Sequence, residues 1–304
     1  MAEVDTLPGG RRTSRTVTHD FFDATAVDAV GDGRYEAVID ESWNLNPLPQ
    51  GGIITALALR AMAEALDHPD QTLRTLHTAF AAQVAHGPVS IDVELLRRGR
   101  SMSHLRAEVS NLEGARGHLT TGIFGSARQG FSFTDLEPPA DVPRPGDCPS
   151  FRDPIPVDDD SGFTPMPFWQ HHVEGRSAVG HAPWEEYTPD RAERVMWYRF
   201  DRPPYLADGT IDPLALVVLA DTMPGAVGEK VGRRERAWFA PSVDLTVHLL
   251  DPCRSPWVLA HNRARFAGDG YASADMALWD CGDDGSGRPR LVAYATQLFL
   301  FTFV

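Results

Sequence analysis

An acidic residue lies on the apolar side of the helix that the sequence predicts at residues 213–222. Asp212 is a favourable N-cap for this helix. Asp221 follows Leu214 by seven residues and Val218 by three, a spacing that places all three on one helical face. A carboxyl buried there, near the negative end of the helix dipole, has a raised pKa and is a stronger base. The alternative is an acid that reaches solvent where the helix frays, and the segment alone does not decide between them.

Two uncharged polar side chains offer the hydrogen-bonding groups that a carboxylate base needs around it. Gln297 interrupts the apolar alternation of the strand predicted at residues 290–303, so its amide needs a buried partner, either the backbone or a site. Ser242 shares a strand face with Asp244 and Thr246. That polar face either lines a cleft or faces solvent, and a β-bulge can change its direction.

Two further features are candidates for contact with a substrate. Gly51 and Gly52 open the helix predicted at residues 52–66, where bare backbone N–H groups can polarise a carbonyl oxygen; a plain glycine turn is the alternative. His77 lies in a strand predicted at residues 73–84, where it either contacts substrate or makes a structural hydrogen bond.

Composition excludes several classes of protein. The 304 residues are 42% hydrophobic and 23% charged, which is typical of a globular protein. The net charge of -14 argues against nucleic acid or an anionic membrane as the main partner. Three cysteines without metal-ligand spacing indicate free thiols, and no signal peptide or membrane span is evident. We expect a soluble cytoplasmic protein that needs no metal and no cofactor.

A segment rich in proline and aspartate, residues 131–167, separates two halves and is predicted to be a linker. Residues 1–130 and 168–304 each predict a strand, one helix and then an antiparallel run of strands. The strands are expected at 35–43, 73–84, 89–97, 101–112, 118–127, 195–201, 240–250, 257–266, 271–280 and 290–303.

The two halves correspond in pattern, which indicates an internal duplication. In this alignment His77 corresponds to Asp244, Gly122 to Gln297, and Leu59-Arg60 falls near the position of Asp221. We therefore expect one chemical centre per chain, with the first half forming a wall beside it. Because one helix cannot cover five strands in flat layers, each sheet should twist around its helix, and the two sheets should join edge to edge.

This α+β arrangement is the tandem, or double, hotdog fold, and the chain resembles the acyl-CoA thioesterase II family and its actinobacterial thioesterase-like relatives. The resemblance covers nearly the whole chain outside the N-terminus and the linker. It is carried by Pro-Gln-Gly-Gly at 49–52, Thr-Leu-His-Thr-Ala-Phe at 75–80, Leu-Ala-Asp at 219–221, and the segments 241–248 and 291–297.

The resemblance implies hydrolysis of acyl-CoA thioesters, with Asp221, Ser242 and Gln297 positioning one water. The family usually has Thr where this chain has Ser242, which keeps the hydroxyl but loses the restricted rotamer. A thiol with a pKa of about 8.5 leaves without strong acid help, so one carboxylate base is sufficient. Direct attack by Asp221 on the carbonyl remains open. Further self-association into a homo-oligomer is also expected.

Two other functions fit the same fold. A hydratase or dehydratase acting on enoyl thioesters would need a histidine paired with an acid, and His77 with Asp244 is the pair that the alignment offers. A non-catalytic protein that binds acyl thioesters would need neither.

Overall fold

The computed structural model describes residues 20–45, 47–112, 114, 116–155, 165–182, 184–232 and 238–303. The first half contains a short helix, a 3₁₀ turn at Glu41–Trp43, a central helix and six strands. In chain order the helices and strands are α1 (Phe21–Ala24), β1 (Asp28–Gly31), β2 (Arg34–Ile39), α2 (Gly51–Leu66), β3 (Thr72–Phe80), β4 (Gly87–Arg97), β5 (Met102–Asn111) and β6 (His118–Gly125).

The second half repeats this order with additions around its helix. Its elements are α3 (Pro167–His171), β7 (Val173–Val179), β8 (Glu193–Phe200), α4 (Pro213–Ala220), α5 (Gly225–Val231), β9 (Trp238–Phe239), β10 (Asp244–Leu249), β11 (Val258–Gly268), β12 (Tyr271–Asp280), β13 (Arg290–Leu300) and β14 (Thr302–Phe303). The strands β9 and β14 form a separate two-stranded sheet.

Twelve strands form one antiparallel sheet in the order β1-β2-β4-β5-β6-β3-β10-β13-β12-β11-β8-β7. The order on one side of the β3–β10 junction mirrors the order on the other. At the junction Leu76 lies opposite Val247 and His77 lies opposite Thr246. The predicted edge-to-edge joining of two hotdog sheets is therefore confirmed.

The two central helices lie against the same side of this sheet and against each other. Every residue of α4 from Leu214 to Ala220 is buried, and α2 is buried along most of its length. Such all-round burial is typical of a core helix, since each apolar side chain removed from water contributes about 1.5–3 kcal/mol. The start of α2 lies beside the end of α4, so the two helices present opposite termini to each other.

The described part of the predicted linker packs on the outer face of the second half. Trp197 and Trp279 are buried there, and the Trp197 Nε1–H donates to the Pro143 carbonyl at 2.9 Å. Ser150 forms a β-bridge with Arg176 of β7, which partly covers the edge of the sheet. Residues 156–164 of the predicted linker lie outside the described residues.

Candidate active site

Asp221 is the first residue after α4, where it caps the helix with a non-helical conformation of φ -86° and ψ 50°. Its side chain is 5% exposed, although it carries the carboxyl group. The helical spacing left open a buried acid or one that reaches solvent at the helix end, and the structure shows the buried one. The carboxyl group lies between the end of α4, the start of α2 and the strand β13.

Three groups from separate parts of the chain donate hydrogen bonds to the Asp221 carboxylate. The Ser242 hydroxyl donates to Oδ1 at 3.0 Å, and the Gln297 Nε2–H donates to the same oxygen. The backbone N–H of Gly52 donates to Oδ2 at 2.8 Å. The fold therefore brings together Asp221, Ser242 and Gln297, and places the glycine pair beside them.

Burial raises the pKa of Asp221 from 3.8 to about 6. Hydrogen bonds from Gln297, Ser242, Gly52 and Gly51 oppose the rise, because they stabilise the charged form. The negative end of α4 was expected to be a second cause of the rise. The positive end of α2 instead lies against the carboxylate and favours its ionised form.

Gln297 lies on the helix-facing side of β13 and is 2% exposed. Besides Asp221, its Nε2–H contacts the Ser242 hydroxyl at 2.9 Å. Its Oε1 is buried without a hydrogen-bond partner among the described residues. Buried amide oxygens are nearly always paired, so this acceptor is suited to a group that arrives with a donor, such as water.

Ser242 points at Asp221 because the strand is irregular just before β10. A bend at Val243 separates the Ser242–Phe299 bridge from the regular ladder, and the pairing is offset by one residue across it. The Asp244 Oδ1 accepts the Leu298 N–H at 2.7 Å at this break. The irregularity decides the direction that alternation alone left open.

The two glycines allow the close approach of α2 to α4. A Cβ on Gly51 would lie 2.7 Å from Phe80 Cε1 and 2.8 Å from Asp221 Oδ2, and one on Gly52 would lie 2.8 Å from Val218 Cα. The Gly52 N–H, predicted to face a thioester oxygen, is already bound to Asp221. In this structure it therefore holds the acid rather than a carbonyl group.

Gln50 belongs to the Pro-Gln-Gly-Gly segment that carries the resemblance but had no predicted role of its own. It is 1% exposed and contacts the same helix end. Its Oε1 accepts the Ile53 N–H at 2.9 Å as the N-cap of α2. Its Nε2 donates to the carbonyls of Val218 at 2.8 Å and Asp221 at 3.1 Å. A polar N-cap immediately before a Gly-Gly pair was the available signal.

His77 does not join this cluster. Its side chain is exposed, and its Nδ1 is hydrogen-bonded to the Thr246 hydroxyl at 3.0 Å. The neighbouring Leu76 and Thr78 are buried, so alternation directs His77 to the outer face of the sheet. Asp244, its expected partner, lies opposite Ala79 in the ladder.

Sequence models of two domains match most of the chain. The N-terminal domain of acyl-CoA thioesterases matches residues 39–125, and the C-terminal domain matches residues 145–301. The chain belongs to the acyl-CoA thioesterase family. No curated protein matches it.

Solved structures similar to this acyl-CoA thioesterase family member share its fold. A hotdog-fold protein of unknown function from Alicyclobacillus acidocaldarius is 28% identical, with a TM-score of 0.75 over 94% of this chain and 99% of that chain. An acyl-CoA thioesterase II from Mycobacterium marinum is 21% identical, with a TM-score of 0.69 over 93% and 98%. In the described ranges of this family member no helix is long and apolar enough to cross a membrane.

The corresponding position in the first half of this family member is apolar. A Cβ on Gly122 would lie 3.4 Å from Leu59 Cδ2, so these two positions face each other as Gln297 and Asp221 do. The neighbouring Arg60 forms an ion pair with Asp212, the N-cap of α4, at 2.6 Å. The second half thus has the acid and the amide, whereas the first half has Leu59 and Gly122 at those positions.

Proposed function

We propose that the protein hydrolyses acyl-CoA thioesters to the free acid and CoA, with Asp221 as the general base. The observation that carries this proposal is a buried carboxylate, with a pKa of about 6, beside a buried Gln297 Oε1 that has no partner among the described residues. At neutral pH such a carboxyl is largely ionised and still basic enough to take a proton from water. The family supports the substrate class.

The proposed reaction uses one water held between Asp221 and the Gln297 amide. Asp221 takes a proton from the water as the water oxygen attacks the thioester carbonyl carbon. The tetrahedral intermediate then expels the thiolate as the C–S bond breaks, and the proton returns from Asp221 or solvent to the sulfur. Because a thiol has a pKa of about 8.5, departure needs no separate strong acid. Ser242 and Gln297 orient the water and the carboxylate.

Direct attack by Asp221 would form a mixed anhydride, and isotope labelling can detect that route. In a single turnover in H₂¹⁸O, activation of water places ¹⁸O only in the released acid. Attack by the carboxylate, followed by hydrolysis of the anhydride at the aspartyl carbon, leaves ¹⁸O in Asp221. Mass spectrometry of the peptide that contains Asp221 detects this label, and its presence establishes attack by the carboxylate.

A thiol-release assay over a panel of acyl-CoA esters tests the proposal. Asp221→Asn should lower kcat/KM by about 10²-fold or more, the scale of a lost general base. The matched control is Thr296→Val, which changes the exposed face of the strand that carries Gln297. Equal activity of Asp221→Asn and the wild type would overturn the mechanism.

The same assay separates the two other functions. A hydratase removes the absorbance of an enoyl thioester without releasing thiol, and a binding protein gains thermal stability with acyl-CoA without turnover. The described geometry does not favour a hydratase, since His77 is bound to Thr246 and Asp244 accepts the Leu298 N–H.

A further inference from the structure

The start of α2 and the end of α4 exchange hydrogen bonds in both directions. The Gln50 side chain, from α2, donates to the Val218 and Asp221 carbonyls at 2.8 and 3.1 Å. The Asp221 side chain, from the end of α4, accepts the Gly52 N–H at 2.8 Å. Each helix therefore caps the other, as the two residues of a capping box do within one helix.

Gln50 is well fixed for such a role. Its side chain is 1% exposed, and both ends of its amide are bonded, the Oε1 to the Ile53 N–H and the Nε2 to the end of α4. A buried amide with all these partners has one orientation. Because one of its acceptors is the carbonyl of Asp221 itself, the amide fixes the backbone from which the carboxylate projects.

We propose that Gln50 is a positioning residue for the hydrolysis proposed above, holding the end of α4 so that the Asp221 carboxylate meets Ser242 and Gln297. The inference rests on that proposed function. Gln50 contacts the backbone of Asp221 and not the reacting atoms, so it acts through the acid. A displacement of about 1 Å in a catalytic group can lower the rate about 10²-fold. Loss of the Gln50 contacts should therefore slow hydrolysis.

The N-terminus of α4 provides an internal comparison. There the N-cap of α4 is Asp212, which is charged and paired with Arg60 of α2 at 2.6 Å. Gln50 is the corresponding N-cap of α2, but it is neutral. A carboxylate at Gln50 would place a second negative charge beside Asp221, which would disfavour ionisation of the proposed base. The neutral amide supplies the cap without that charge.

Few titratable groups surround this contact in the described residues. The groups that touch the Asp221 carboxylate are uncharged donors. On the adjoining strands, Asp244 accepts the Leu298 N–H, and burial lowers the pKa of His118 to about 3, so His118 stays neutral. The pKa of Asp221 is set by burial and by these hydrogen bonds, so a change in that pKa indicates that the carboxyl group has moved.

The variants Gln50→Met and Gln50→Glu test the proposal, with Asp212→Asn as the matched control. Gln50→Met should lower kcat about tenfold or more with KM within about threefold, since the lost contact orients the base. It should also move the acid limb of kcat/KM to higher pH, because a displaced carboxylate loses donors that favour its charged form. Gln50→Glu should move that limb further in the same direction. Asp212→Asn should lower the melting temperature and leave the limb in place.

Two outcomes overturn the proposal. One is a folded Gln50→Met protein whose kcat and acid limb stay within about twofold and 0.3 pH units of the wild type. The other is a Gln50→Met protein with a lower kcat but an unchanged acid limb of kcat/KM. That result would show that Gln50 has only a structural role. If Gln50→Met does not fold, Gln50→Asn, which keeps the amide but shortens its reach to the end of α4, is judged by the same two criteria.

The proposed function and this inference can fail separately. A wild type that releases thiol from no acyl-CoA refutes the proposed function alone. The titration of Asp221 can still be read from the pH dependence of the stability difference between each protein and its Asp221→Asn counterpart. Gln50→Met should raise the midpoint of that titration, and an unchanged midpoint refutes the inference.

Discussion

The carboxylate of Asp221 and the backbone N–H of Gly52 are 2.8 Å apart, although 169 positions separate them in the chain. This hydrogen bond joins the end of the second half's helix to the start of the first half's helix. The partial positive charge of a helix N-terminus stabilises an anion at such a distance. The first half of the chain therefore supplies a donor that favours ionisation of the acid, beside the stronger donors Gln297 and Ser242 of the second half.

Activity should report the raised pKa of Asp221 directly. A general base functions when ionised, so kcat/KM should rise with pH through about 6 and then level off. Thiol release measured from pH 4.5 to 8 in buffers of constant ionic strength checks this. The residual activity of Asp221→Asn should lack this limb. Activity that is flat over this whole range, as an ordinary carboxyl with a pKa of 3.8 would give, would contradict the buried, desolvated state.

The free energy of unfolding should also depend on the protonation of Asp221, but it should fall with rising pH where activity rises. The pKa is about 6 in the folded chain against 3.8 for a free carboxyl, so the folded state binds more protons between these values. The stability contributed by protonated Asp221 is therefore present below about pH 4 and lost as pH rises through about 6. The difference corresponds to about 3 kcal/mol.

Asp221→Asn removes this titration, so the variant should gain stability relative to the wild type between pH 4 and pH 7.5. Urea unfolding of both proteins across that range measures the gain, and contributions from distant groups cancel in the difference. A difference that does not vary with pH would show that the carboxyl has an ordinary pKa in the folded protein.

Gly52→Ala should reduce both stability and activity. The added methyl would lie 2.8 Å from Val218 Cα, so α2 and α4 must separate and the Gly52 N–H must leave Asp221. Overpacking of this kind costs about 1–3 kcal/mol. The control is Gly228→Ala, in α5, where a Cβ has no atom within 4 Å and should be neutral or stabilising. Chemical unfolding and thiol release compare the two variants, which should differ in both measurements.

Ser242→Ala should slow hydrolysis, whereas Ser242→Thr should retain it. The hydroxyl donates to Asp221 at 3.0 Å and also contacts the Gln297 Nε2, so its loss removes one support of the carboxylate. Such a hydrogen bond to a charged group contributes about 1.5–3 kcal/mol, or roughly 10- to 150-fold in rate if it is made fully in the transition state. Steady-state kinetics of both variants measure the effect. A Ser242→Ala protein with the same kcat/KM as the wild type would exclude a role for the hydroxyl.

The parts of the structure that follow from short-range pattern were predictable. The α4 helix, its N-cap Asp212 and the burial of Asp221 follow from residue spacing along one element. The apolar row around Gln297 follows from strand alternation. The strand β12 was predicted with its observed bounds, since a hairpin turn and a glycine mark its ends.

Features that depend on contacts between distant segments were not predictable. Ser242 turns inward only because of the bend at Val243, and Gly52 binds the acid only because two helices meet end to end. The helix α5 was missed because Gly225 and Gly228 lower its helix propensity, while its buried face compensates in the fold. The strand β7 was missed since Gly175 interrupts its apolar pattern.

The β3–β10 junction has a consequence for how the protein behaves at low concentration. Groups that meet across two separate subunits come apart on dilution, whereas here a covalent tether keeps each half at a high effective concentration beside the other. Thiol release per milligram should therefore hold constant down to nanomolar protein, even if larger assemblies dissociate.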